Sequence, residues 1–101
     1  MKYGLSEINI NKIINVFRQF PEIETALLYG SRAKGNYRPS SDIDLTLKGR
    51  KLNLQVLSSI ILKLDDLLLP YRLDISIYSQ INNPELLDHI HRVGKTFYQP
   101  E

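Results

Sequence analysis

Tyr29-Gly30-Ser31-Arg32-Ala33-Lys34-Gly35, followed by Ser41-Asp42-Ile43-Asp44-Leu45, is the stretch that decides the fold of this 101-residue chain. Glu24 to Tyr29 is a short apolar run stopped by Gly30, which predicts a buried strand. Residues 30–41 are rich in Gly, Ser, Arg, Lys, Asn and Pro, so a loop or a short helical turn is expected there. From Asp42 to Leu47 polar and apolar residues alternate, the pattern of a strand with one covered face. The same alternation returns at Leu73 to Tyr78 and predicts a third strand.

Helical spacing fills the intervals. Ser6 reads as an N-cap with Leu5 and Ile10 as a hydrophobic staple. Ile10, Ile13, Ile14 and Phe17 follow at spacings of three and four, and Phe20-Pro21 ends the run. The longest predicted helix carries Leu54, Leu57, Ile61, Leu64 and Leu68 on one stripe, with Pro70 closing it. Asn83 caps a last helix with Pro84 in its first turn; Leu86, Leu87, Ile90 and Val93 form the inner stripe and Gly94 the end. Lys95 to Gln99 adds a short terminal strand. Strands alternating with helices give an α/β class, a small mixed β-sheet flanked by helices, within a single domain spanning residues 1–101.

Three aspartates lie in the predicted strands. Asp42 and Asp44 are two apart, so both side chains project from one face, and Asp74 keeps the same phase in the next strand. With those strands paired in register, three carboxylates converge on one patch. Carboxylates so close repel one another unless a cation sits among them. Oxygen ligands without nearby His or Cys favour Mg²⁺, or Mn²⁺, over zinc. Magnesium completes its shell with water and phosphate oxygens, so a nucleoside triphosphate is the expected ligand. Asp is depleted in strands, which makes three solvent-facing aspartates the weaker explanation.

Gly30 permits a tight turn and close approach of a ligand, and the amides opening a helical turn after it can grip phosphate. Ser31 adds a hydroxyl, while Arg32, Lys34 and Arg38 bring charge opposite to a triphosphate. His89 and His91 are two apart on a helix and are read as surface residues. Asp65 and Asp66 are read as a solvated face, and Tyr29 as core.

Gly30-Ser31, ten residues, then Asp42-Ile43-Asp44 resembles the G-S-x10-D-x-D signature of the nucleotidyltransferase superfamily that includes DNA polymerase β. At residue frequencies of about 5–7% each, those four positions at that spacing arise in about one random chain of this length in a thousand. The surrounding words, and the third aspartate Asp74, resemble the minimal nucleotidyltransferases of prokaryotes, the MNT domains. The resemblance runs from the first helix to the terminal Gly-Lys-Thr-Phe-Tyr. It implies a nucleotidyltransferase fold and nucleotidyl transfer. Asp42, Asp44 and Asp74 would be the catalytic, metal-holding residues for two Mg²⁺ ions. Gly30, Ser31, Arg32 and Lys34 would bind the nucleotide, with ATP or another nucleoside triphosphate as donor. Minimal members resemble antitoxins paired with a HEPN-domain ribonuclease, which implies transfer of AMP to a hydroxyl, often of tyrosine, on that toxin. The alternative is a binding module that neutralises its partner by occlusion.

Composition bounds these readings. Thirteen Lys+Arg against eleven Asp+Glu give a formal charge of +2, too weak to argue for direct nucleic-acid or membrane binding. No basic groove for duplex DNA is evident, which counts against a polymerase. The absence of cysteine excludes disulfides, thiolate metal sites and a cysteine nucleophile. The first residues lack the apolar core of a signal peptide, and the Leu-rich stretch near 60–69 is interrupted by Lys63, Asp65 and Asp66, so a cytoplasmic domain is expected. About 100 residues leave no appended domain for a small drug or a tRNA end, so the acceptor is expected to bring its own surface. A chain of this size buries only about 60–65% of its unfolded surface, which leaves room for self-association or a hetero-complex.

Overall fold

The computed structural model describes residues 1–101. Elements run in the order α1 (Glu7–Phe17), β1 (Thr25–Tyr29), α2 (Gly30–Lys34), β2 (Ile43–Lys48), α3 (Leu54–Asp65), β3 (Leu73–Ile77), a single 3-10 turn (Tyr78–Gln80), α4 (Pro84–Val93) and β4 (Lys95–Tyr98). Each of the three longer helices starts on a side chain that satisfies an otherwise orphaned amide. Ser6 Oγ accepts from Asn9 N–H at 3.1 Å, Asn53 Oδ1 from Val56 N–H at 2.9 Å, and Asn83 Oδ1 from Glu85 N–H at 3.0 Å.

The four strands form one mixed sheet in the order β3-β2-β1-β4. β1 runs antiparallel to both β2 and β4. β2 and β3 are parallel, as the crossover through α3 requires. Ala26, Leu28, Ile43, Leu45 and Leu47 point to the face covered by α1 and α3, where they join Ile13, Val16, Phe17, Ile60 and Leu64 in the core. The opposite face carries Tyr29, Asp44, Thr46, Asp74 and Ser76, the alternate positions of the same strands. There α4 packs against β1 and α2 and covers only part of the sheet. No helix is long and apolar enough to cross a membrane.

The structure corrects two readings of the sequence. β2 starts at Ile43, whose N–H donates to Arg72 O at 2.9 Å in the first rung towards β3, so Asp42 stands just ahead of the strand rather than in it. The long helix ends at Asp65, and its buried residues are Ile60 and Leu64, with Leu57 half-buried beside them. Leu54 is 63% and Leu68 88% exposed. Leu67 and Leu68 donate back three residues, to Leu64 O and Asp65 O, and Leu68 takes φ +52°. That left-handed step breaks the helix before Pro70, so Leu68 leaves the stripe on which spacing alone would place it.

Candidate active site

The site lies where β1 ends and β2 and β3 begin. Antiparallel pairing of β1 with β2 sets Tyr29 opposite Asp44, and parallel pairing of β2 with β3 sets Asp44 opposite Asp74. The chain turns at Gly30, with φ +75°, a conformation L-residues rarely adopt. The Asp44 carboxylate lies against that turn on the side from which a β-carbon would project. Asp42 and Asp74 are exposed, while Asp44 is half-buried between them.

Burial raises the Asp44 carboxyl above its ordinary pKa, and the charges of Asp74 and Asp42 raise it further; His89 and Arg32 act the other way. The three carboxylates thus share one field. As the side chains stand, no three donors close around a common point. The donor set is hard oxygen, and a divalent cation among these carboxylates would relieve the repulsion felt at Asp44, so the residues suit a hard divalent cation.

Beneath the carboxylates is a buried polar seam. Ser76 Oγ donates to Thr46 Oγ1 at 2.9 Å, on the sheet face that also carries the buried Tyr29. Burial pushes the Tyr29 phenol up, and the Asp74 charge adds to that. Tyr29 is therefore core, as read from the sequence, and a wall of the site as well.

The phosphate-loop residues divide. Ser31 is half-buried at the turn and Lys34 is exposed on the last residue of α2. Arg32 is 1% exposed and points into the protein, so it does not present its charge to a nucleotide. Its guanidinium donates to three main-chain carbonyls, of Tyr3, Pro39 and Ser41. The Gly30 N–H is also engaged, donating to His89 Nε2 at 2.9 Å, and the His89 ring meets Tyr29 edge-on at 6.1 Å. His89 is therefore no free surface residue. The signal was its place three after Leu86 and four before Val93, on the inner stripe of α4. His91 is exposed and pairs through Nε2 with the Tyr78 hydroxyl at 2.6 Å.

Residues 11–101 match the polymerase beta nucleotidyltransferase family. The chain belongs to that family. Its members are nucleotidyltransferases, and the turn after β1 beside the paired β2 and β3, which brings Gly30, Asp44 and Asp74 together, is the part of this nucleotidyltransferase that the reading of the sequence anticipated. No curated protein matches the chain. Among solved structures, a chain of a toxin–antitoxin complex with AMP-PNP superposes with a TM-score of 0.72 at 24% identity, over 92% of this nucleotidyltransferase and 75% of that chain. A chain of the tri-AMPylated Shewanella oneidensis HEPN toxin in complex with its MNT antitoxin gives 0.69 at 21%, over 95% and 74%. A toxin–antitoxin MntA-HepT structure gives 0.67 at 22%, over 94% and 74%. At these identities the likeness establishes a shared fold.

Proposed function

We propose that this nucleotidyltransferase moves AMP from ATP to a hydroxyl of a HEPN-class partner protein and so acts as its antitoxin. The observation that carries the reading is the in-register pair Asp44 and Asp74, headed by Asp42 and set against the Gly30-Ser31 turn. The structural neighbours that include AMP-PNP and a tri-AMPylated toxin support the choice of nucleotide and acceptor.

Asp42, Asp44 and Asp74 would hold the divalent ions. Bound there, Mg²⁺ or Mn²⁺ supplies charge stabilisation to the attacking and leaving oxygens of an in-line displacement. The protein's own part is positioning. The Ser31 hydroxyl and the main-chain N–H of Ser31, which the first turn of a helix cannot bond internally, face the terminal phosphates, and Lys34 adds charge. The acceptor oxygen bonds to the α-phosphorus as the bond to the bridging oxygen breaks and pyrophosphate leaves. The acceptor's proton passes to the exposed Asp74 carboxylate.

The test is intact-protein mass spectrometry of the HEPN partner incubated with this protein, ATP and Mg²⁺, with Asp42→Asn as control. Mass added in AMP-sized steps by the wild type alone is the expected result. An unmodified partner that is nonetheless neutralised in a stable complex would replace transfer by occlusion.

A further inference from the structure

Arg32 has a cation's desolvation cost without a carboxylate partner, since the ion pairs of the fold are Arg50–Glu24 and Arg92–Asp88. A guanidinium stays charged in a protein, so that cost is offset where it sits. Four hydrogen bonds do this. Nε and Nη2 both donate to Ser41 O, at 3.1 and 2.8 Å, while Nη2 also reaches Pro39 O at 3.2 Å and Nη1 reaches Tyr3 O at 2.9 Å. The Tyr37 and Tyr71 rings lie 5.4 and 5.0 Å from the guanidinium carbon, within cation–π range.

The Tyr3 stretch is anchored by the buried Leu5 beside it, whereas the loop ahead of Asp42 has little else to hold it. Residues 34–40 are exposed, and the one large apolar side chain among them, Tyr37, is 37% exposed. The loop closes on itself at Ser41, whose Oγ accepts from Arg38 N–H at 2.8 Å and whose N–H donates to Arg38 O at 3.0 Å. The doubly held Ser41 carbonyl belongs to the peptide that leads into Asp42. On the far side, Tyr3 and Gly4 take φ +59° and +73° to deliver the Tyr3 carbonyl, and a β-carbon on Gly4 would lie 2.9 Å from Nη1.

We propose that Arg32 is a positioning residue: its guanidinium fixes the Ser41–Asp42 peptide, and through it the place of Asp42 beside Asp44, and it binds no phosphate. This rests on the metal-holding role proposed for Asp42. Lysine cannot substitute, because one ammonium cannot span three carbonyls and stack between two rings. Loss of the guanidinium therefore frees the loop while β1, β2 and the core persist.

The experiment compares wild type with Arg32→Lys by amide hydrogen exchange, by Mn²⁺ binding read from electron paramagnetic resonance, and by ATP binding in EDTA. Exchange across residues 35–42 should rise about tenfold or more with α1, α3 and β1 unchanged. Mn²⁺ affinity should fall about 10–100-fold, the usual effect of losing a group that orients a metal ligand. Metal-free ATP affinity should stay as it is. Unchanged loop exchange would overturn the proposal, and so would loss of metal-free ATP binding, which would make Arg32 a phosphate ligand. Tyr71→Leu removes one ring and no hydrogen bond, and should show the same loop-confined acceleration to a smaller degree; it carries the test where Arg32→Lys fails to fold, and unchanged exchange there overturns the proposal equally. None of these measurements needs the acceptor, so failure of AMP transfer with loop protection and Mn²⁺ binding behaving as described would refute only the acceptor assignment.

Discussion

The Asp44 carboxylate rests against Gly30, in the space a β-carbon on Gly30 would fill, and this contact ties the turn after β1 to the strand that carries the acidic pair. Gly30→Ala therefore meets two obstacles, the φ of +75° and the collision with Asp44 Oδ2. A cost of about 2 kcal/mol follows from backbone strain of that kind, to be read from urea unfolding. Mn²⁺ binding should fall with it, since Asp44 is pushed aside. Wild-type Mn²⁺ affinity in Gly30→Ala would show that the close approach serves no purpose in the site.

Removing the acceptor of the Gly30 N–H is the second prediction. His89→Ala leaves that amide without its partner and deletes the edge-on contact with Tyr29. The expected loss is about 1–2 kcal/mol, with His89→Gln recovering part of it through its amide oxygen. Equal stability of the Ala and Gln variants would mean that packing, and not the hydrogen bond, holds α4 to the turn.

The raised pKa of Asp44 makes a prediction about pH. An acid whose folded pKa lies above its unfolded one leaves the folded state holding more protons, so stability falls as pH rises from the ordinary value of 3.8 through the raised one. Above that window the metal-free protein bears the full cost. Asp44→Asn should therefore raise the metal-free Tm at pH 7 by about 2 °C, a small gain because the group is part-exposed and water screens its neighbours. The gain should vanish below the ordinary carboxylate range. A lower Tm for Asp44→Asn at pH 7 would contradict the repulsion.

Asp74 is exposed and belongs to the chemistry alone in this reading. Asp74→Asn should leave the Tm within about 2 °C of wild type, as surface substitutions do. Transfer should fall by at least about 10³-fold, because several kcal/mol of charge stabilisation and the proton acceptor go together. Initial rates of AMP incorporation measure this, and a loss of tenfold or less would remove Asp74 from the catalytic group.

Much of this fold was legible in the order of residues because its signals are local. Ser6 and Asn83 cap helices through atoms two or three residues away, and a period of two in Asp42–Leu47 and Leu73–Tyr78 assigns aspartates and aliphatics to opposite faces whatever lies beside them. The aspartates could thus be placed on one face before their strands were known to be neighbours. Helix ends were less legible. Leu68 continues the spacing of Leu57 and Leu64, yet the left-handed step at Leu68 turns it out to solvent.

The sequence by itself determined the elements, the two faces of the strands and the turn-and-carboxylate words that mark the family, since each depends on side chains within a few positions of one another. Only the tertiary structure decided the strand order β3-β2-β1-β4, the half-cover of the site by α4, and the fates of Arg32 and His89. Arg32 reads as a phosphate ligand until Tyr3, Pro39 and Ser41 present their carbonyls to it, and His89 reads as surface until Gly30, 59 residues away in sequence, turns its N–H towards the ring. Main-chain carbonyls and amides belong to every residue alike, so no side-chain pattern announces which of them a distant cation or imidazole will meet.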